Sequence, residues 1–160
     1  MFTGDEISAE LCDLGVTHLV WLPDSALGAW EAALASCPSF DLVRICREGE
    51  AWAVAAGLFL GGARPLVLIQ CTGLFDSGDS LRNAVHDFGL PLFAIIGYRN
   101  YLNPAAVDSA KTYTEPTLAA WQIPWRLIDS RDKLHLLRSH YSACCQAGEP
   151  GAVLIAEGRM

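Results

Sequence analysis

Several things are scarce in this sequence, and each scarcity argues against a class of function. Charge is sparse, at 18% of residues, and the positive sign is the rarer one: 11 Lys and Arg against 18 Asp and Glu leave a formal net charge of −7. A nucleic-acid binder needs clustered cations to displace counterions from phosphates, so this balance argues against that class. No run of about 18 consecutive apolar residues is present, so no membrane-spanning helix is expected. The opening Met1-Phe-Thr-Gly-Asp-Glu is acidic and does not read as a secretion signal, which makes the cytoplasm the expected location. The six cysteines (Cys12, Cys37, Cys46, Cys71, Cys144, Cys145) lack CxxC spacing, and most sit in apolar runs. They read as buried thiols of a reducing compartment. His18, His86, His135 and His140 are scattered and pair with no cysteine at metal-ligand spacing, so no metal site is expected.

What is abundant is apolar surface. Hydrophobic residues make up 52% of the 160 residues. A chain of this length suits one domain, residues 1–160, and buries roughly 70% of its unfolded surface without disulfides or a structural metal. The apolar excess points to subunit interfaces as well as to a core.

Helix and strand signals alternate along the chain. Thr3 and Glu6 form a capping-box pattern ahead of Ile7, Leu11 and Leu14 at helical spacing. His18–Leu22 reads as a strand ended by Pro23. Asp24-Ser25 then suits the cap of a helix carrying Leu27, Trp30 and Leu34. Asp41–Cys46 reads as a strand, and Glu48–Leu60 as an Ala-rich helix closed by Gly61-Gly62. Pro65–Gln70 is a buried strand, followed by a loop from Cys71 to about Ser77 and a helix beyond it. Pro91–Ile96, Trp125–Ile128 and Ala152–Ala156 are further strands. Thr114-Glu115-Pro116 opens a short helix, and another runs from about Arg131 to Gln146. The strands are continuously apolar, as strands covered on both faces are. The expected fold is α/β: a three-layer α/β/α domain around a six-stranded, mainly parallel sheet. Sites in such sheets lie in the loops after the strands, here Pro23-Asp24-Ser25, Arg47-Glu48 and Cys71-Thr72-Gly73.

Arg47-Glu48-Gly49-Glu50-Ala51-Trp52-Ala53-Val54-Ala55-Ala56-Gly57 resembles the pyrimidine-domain signature of thiamine diphosphate enzymes. There a glutamate opens a helix just after a strand and a glycine follows nine residues on, a spacing that Glu48 and Gly57 keep and Glu50 does not. Leu22-Pro23-Asp24-Ser25 is similar to the corresponding turn of the sulfopyruvate and phosphonopyruvate decarboxylases. Gly89-Leu90-Pro91 and Ile95-Ile96-Gly97-Tyr98-Arg99 resemble their next strand and its basic ending. The resemblance implies a thiamine diphosphate-binding fold in which Glu48 is catalytic. Its carboxyl would bond the cofactor's aminopyrimidine ring and relay the proton that activates the thiazolium carbon. A relay acid works best with a raised pKa, which burial near Ala51, Trp52 and Val54 would provide. Thr72 and Gly73 are implied cofactor contacts. Asp24 and Ser25 are implied at the substrate, and Arg99 as a bidentate partner of an acidic substrate group.

The same resemblance implies a second domain, with a Gly-Asp-Gly or Gly-Asp-Ser turn and an Asn farther on, that binds the diphosphate through Mg2+. Gly78-Asp79-Ser80 imitates its opening, but no buried strand leads directly into it and no Asn pair follows, so Asp79 is expected at an exposed helix start. Magnesium and diphosphate are therefore expected on a separate beta subunit, in a hetero-oligomer (alpha2beta2 or larger) acting on a small 2-oxoacid. Two departures bear on the substrate. Cys71 stands where the decarboxylases carry an amide, and Asn100-Tyr101-Leu102-Asn103-Pro104-Ala105 replaces their acidic segment. Two other readings stay open: a carboligating enzyme subunit like that of acetolactate synthase, and a noncatalytic flavodoxin-like module.

Overall fold

A computed structural model describes residues 1–25 and 27–158. Six strands form one sheet: β1 (His18–Trp21), β2 (Asp41–Arg44), β3 (Pro65–Gln70), β4 (Phe93–Tyr98), β5 (Trp125–Ile128) and β6 (Gly151–Ala156). Their order is β2-β1-β3-β4-β6-β5, and every neighbouring pair is parallel. Parallel strands need crossovers, and helices supply them. These are α1 (Gly4–Asp13), α2 (Glu31–Ser36), α3 (Glu48–Leu60), α4 (Cys71–Arg82), α5 (Ser109–Ala120) and α6 (His135–Ala147).

Alternate residues of each strand feed opposite cores. Leu19, Leu66, Ile95 and Val153 pack under α1, α2 and α6, which contribute Ile7, Leu34 and Leu137. Val20, Val67, Ala94 and Leu154 pack under α3, α4 and α5, which contribute Trp52, Leu74 and Leu118. That is the three-layer α/β/α arrangement read from the sequence, with the sheet wholly rather than mainly parallel.

Several local expectations are corrected. No loop separates Cys71 from Ser77, because α4 starts at Cys71 behind an extended Gln70. Cys71 and Leu74 are buried at helical spacing, and the Ser77 hydroxyl donates to the Gly73 carbonyl at 2.6 Å. Gly78 breaks the helical geometry (φ 10°, ψ −96°), and Asp79 beyond it is exposed and paired with Arg82 at 2.7 Å. The helix expected to open at Thr114 begins at Ser109, where the Asp108 carboxylate accepts from the Ala110 amide at 2.9 Å. Thr114 is instead a buried residue of that helix. Only Cys71 and Cys144 of the six cysteines are buried; Cys46 and Cys145 are exposed, and the partly buried Cys12 and Cys37 hold their Sγ atoms 3.2 Å apart.

Candidate functional site

Chain order reverses direction at β1: the next strand, β2, lies on one side and β3 on the other. Open α/β sheets offer a crevice at such a point, beyond the carboxyl ends of the strands. The three loops singled out from the sequence all end there. The Pro23-Asp24-Ser25 turn follows β1, Glu48 opens α3 after β2, and Thr72 and Gly73 lie in the first turn of α4 after β3.

Glu48 and Gly73 are brought together. A methyl group placed on Gly73 would strike the Glu48 side chain, lying 2.7 Å from Oε1 and 2.8 Å from the carboxyl carbon. The missing side chain at Gly73 is therefore the space that the Glu48 carboxyl occupies. Glu48 is partly buried, while Glu50, the other acid in the same turn, is exposed and accepts from the Cys46 amide at 3.2 Å. The two acids thus divide: one turns back to fasten its own helix start, the other lies against α4.

Asp76, which the sequence reading missed, holds this meeting in place. Its carboxylate accepts from Arg47 Nη2 at 3.0 Å and from the Gly49 amide at 3.4 Å, gripping the residues on both sides of Glu48. The Arg47 bond, then the Gly49 amide, holds the Asp76 carboxyl below the usual carboxylate range. Ala51 and Trp52, expected to give Glu48 an apolar setting, are buried in the core beneath α3.

A second group runs from Thr72 to Asp24. The exposed Thr72 hydroxyl donates to Gln70 Oε1 at 3.2 Å, and Gln70 Nε2 reaches Asp24 Oδ1 at 3.4 Å. Asp24 Oδ1 also accepts from the Leu27 amide at 2.9 Å, so it does cap the short 3-10 turn Leu27–Trp30. Ser25, ahead of that turn, is exposed. Gln70 was not singled out, although it is the one polar residue closing an otherwise apolar strand.

Arg99 is drawn elsewhere. Its Nε donates to Asp108 at 3.0 Å, and the Asn100 amide bonds the same carboxylate oxygen at 2.7 Å. The Asn100 bond is the chief reason the Asp108 carboxyl lies below its ordinary range. Beside Thr72, a hollow of about 650 Å³ is lined by Phe75, Ser109 and Tyr113, and both aromatics are exposed. A separate cleft of about 520 Å³ opens at the opposite edge of the sheet, beside Pro65 and Phe93 at the starts of β3 and β4. Among the described residues, no three His, Cys, Asp or Glu side chains gather as metal ligands, and no helix is long and apolar enough to cross a membrane.

No protein-family model matches the chain. Among curated proteins it is 30% identical to phosphonopyruvate decarboxylase of Streptomyces viridochromogenes over 150 residues, covering 90% of this chain and 36% of that protein. It is 24% identical to the sulfopyruvate decarboxylase subunit alpha of Methanococcus maripaludis, covering 86% of this chain and 83% of that subunit. The chain thus spans about a third of the length of the first relative and most of the second. Among solved structures, a protein assigned as a thiamin diphosphate-dependent enzyme from Mycobacterium smegmatis superposes with a TM-score of 0.69 at 21% identity, over 97% of this chain and 30% of that one. The 2-oxoglutarate:ferredoxin oxidoreductase of Magnetococcus marinus superposes with a TM-score of 0.64 at 10% identity, over 96% of this chain and 28% of that one. In sequence, then, the chain is a relative of the phosphonopyruvate decarboxylases and of the sulfopyruvate decarboxylase alpha subunit, and its fold is one found within thiamine diphosphate-dependent enzymes.

Proposed function

We propose that this chain is the pyrimidine-binding domain of a thiamine diphosphate-dependent 2-oxoacid decarboxylase, working as an alpha subunit beside a beta subunit that carries the magnesium and diphosphate end of the cofactor. The observation that supports it most is the Glu48 carboxyl lying on Gly73, at the meeting of two helix starts beyond the carboxyl edge of the sheet. A second support is the 83% coverage of a relative that is itself named a subunit alpha.

The cofactor, when bound, supplies the electron sink for loss of carbon dioxide from a 2-oxoacid. Glu48 holds and returns one proton at a pyrimidine ring nitrogen. Gly73 keeps clear the space this requires, and Asp76 fixes the start of α3 so that the carboxyl is already aimed. Thr72 offers its hydroxyl and backbone to the ring. Asp24 and Ser25 face the substrate side. Arg99, of which only Nε is engaged among the described residues, takes an acidic group of the substrate with the rest of its fork.

The partner's surface is proposed on α3. Ala53, Gly57 and Leu60 are all exposed, at spacings of four and three residues, with Leu60 72% exposed. A helix that is apolar on every side is one that expects to be covered. Phe75 and Tyr113 continue the apolar surface beside Thr72.

The test uses the chain reconstituted with a beta subunit. Glu48→Gln should lower kcat by about 10²- to 10⁴-fold, the usual worth of a positioned proton-transfer group, and leave assembly intact. Turnover within twofold of wild type would remove Glu48 from the chemistry.

A further inference from the structure

Glu157 follows β6 immediately and lies outside the three loops after β1, β2 and β3. Both its carboxyl oxygens are buried, and neither has a hydrogen bond of ordinary geometry among the described residues. The fold has made room for it. A methyl group on Gly97 would collide with Glu157 Oε1, lie 3.0 Å from its carboxyl carbon and come 3.1 Å from the Leu27 side chain. Gly97 is the register partner of Gln70, whose amide reaches Asp24. Glu157, Gln70 and Asp24 therefore converge from β6, β3 and the turn after β1 on one stretch of the rim where the proposed substrate enters.

Burial is the main force pushing the Glu157 carboxyl up to about 7, and the negative charge of Asp24 is the next. The Gln70 amide, the Arg99 guanidinium and the Met1 ammonium oppose them. The Cys71 thiol, facing from α4, is itself raised, first by burial and in part by Glu157. Two neighbouring carboxyls out of bulk water do not readily ionise together, and burial with no hydrogen bond of ordinary geometry to either oxygen among the described residues favours the proton on Glu157. Asp24 differs from it in accepting from the Leu27 amide at 2.9 Å.

We propose that Glu157 is a positioning residue that holds a proton beside Asp24, so that the rim presents one negative charge rather than two to an incoming anionic 2-oxoacid. This rests on the function proposed above, and it names a control on substrate binding in that same site. As pH rises through about 7 the proton is lost, a second negative charge appears, and the anion is repelled. Affinity falls while the proton relay at Glu48 is untouched.

Two measurements test it. In the isolated chain with 13C-carboxyl-labelled glutamate, one signal should titrate near neutral pH. It should disappear in Glu157→Gln and move toward the ordinary glutamate range in Asp24→Asn. A Glu157 signal titrating in the ordinary range would overturn the proposal, and the Asp24→Asn shift carries this arm even if Glu157→Gln folds poorly. In the reconstituted complex, KM for the 2-oxoacid should rise several-fold between pH 6.5 and 8.5 with kcat little changed, and Glu157→Gln should keep KM flat. A wild-type KM that stays level, or a variant that keeps the rise, would also overturn it. A wild-type complex with no turnover on any 2-oxoacid would instead overturn the proposed function, whatever the titration shows.

Discussion

The helices α3 and α6 have the same length but sit on opposite faces of the sheet, and they satisfy their surroundings in different ways. α6 is amphipathic. Leu137, His140, Tyr141 and Cys144 are buried along one face, and Arg138 on the outer side pairs with Glu10 and Asp13 of α1. Its buried imidazole accepts burial too, held below the ordinary histidine range and placed 3.2 Å from the Pro124 carbonyl. α3 carries no charged residue after Glu50. It buries Ala51, Trp52 and Ala55 and still presents Ala53, Gly57 and Leu60 outward. One helix finishes its packing within the chain; the other keeps an apolar side and, at its start, an aimed carboxyl.

If that contrast is right, damage to α6 should cost stability and damage to α3 should cost assembly. The largest expected effect is Leu137→Ala. Leu137 is fully buried, and removing its branched end leaves a cavity, so unfolding should become easier by about 2–5 kcal/mol. Leu60→Ala should change the stability of the isolated chain by no more than about 0.5 kcal/mol, since Leu60 is mostly exposed, yet should weaken capture of the proposed beta subunit. Chemical denaturation of both variants, with a pull-down of the partner, reads the two costs separately. Equal destabilisation, or a Leu60→Ala chain that binds as wild type does, would erase the distinction.

Gly73→Ala sharpens the comparison at the start of α3, where the proposed site lies. The new methyl would fall within 2.7 Å of Glu48 Oε1, so the carboxyl has to move although no functional group has been removed. Misplacement of a reacting group by about 1 Å can cost on the order of 10²-fold in rate, and a loss of that size in kcat is expected here. The circular dichroism of the chain should change little, because alanine is a better helix former than glycine. Unaltered kcat would mean that the approach of Glu48 to Gly73 has no bearing on turnover.

The sequence made the layers legible for a physical reason. Strands covered on both sides, such as Pro65–Gln70, must be apolar throughout, and a run of that kind between turn residues is conspicuous. The bounds of α3 were equally plain, with Glu48 at one end and a glycine pair at the other. The start of α4 was hidden because Thr72 and Gly73 have turn-like composition. What makes them helical is the extended Gln70 ahead of them and the Ser77 bond behind. The start of α5 was misplaced because Pro116 favours a first turn, whereas the carboxylate of Asp108 caps the helix earlier. Within the candidate site, Glu48 could be read from local spacing. Glu157 could not, because its setting is assembled from Asp24, Gln70 and Gly97, far apart along the chain. Asp76 was missed likewise, for its partners Arg47 and Gly49 flank the start of another helix.

A smaller effect, and one of opposite sign, concerns Gly57, the glycine whose spacing from Glu48 first marked the segment. Within the chain nothing asks for a glycine there: a methyl group would meet no atom within 4 Å, and the residue is exposed in the last turns of α3. A glycine in a helix interior costs about 0.5–1 kcal/mol relative to alanine, through the greater freedom of the unfolded chain. Gly57→Ala should therefore raise the stability of the isolated chain by about that amount, and thermal melting of the chain alone checks it. The same substitution should weaken association with the beta subunit if the partner lies close over this turn, because the space a methyl enters freely in the chain would then be taken. A gain in stability with no loss of association would place the partner away from this part of α3 and move the search for it toward Phe75 and Tyr113.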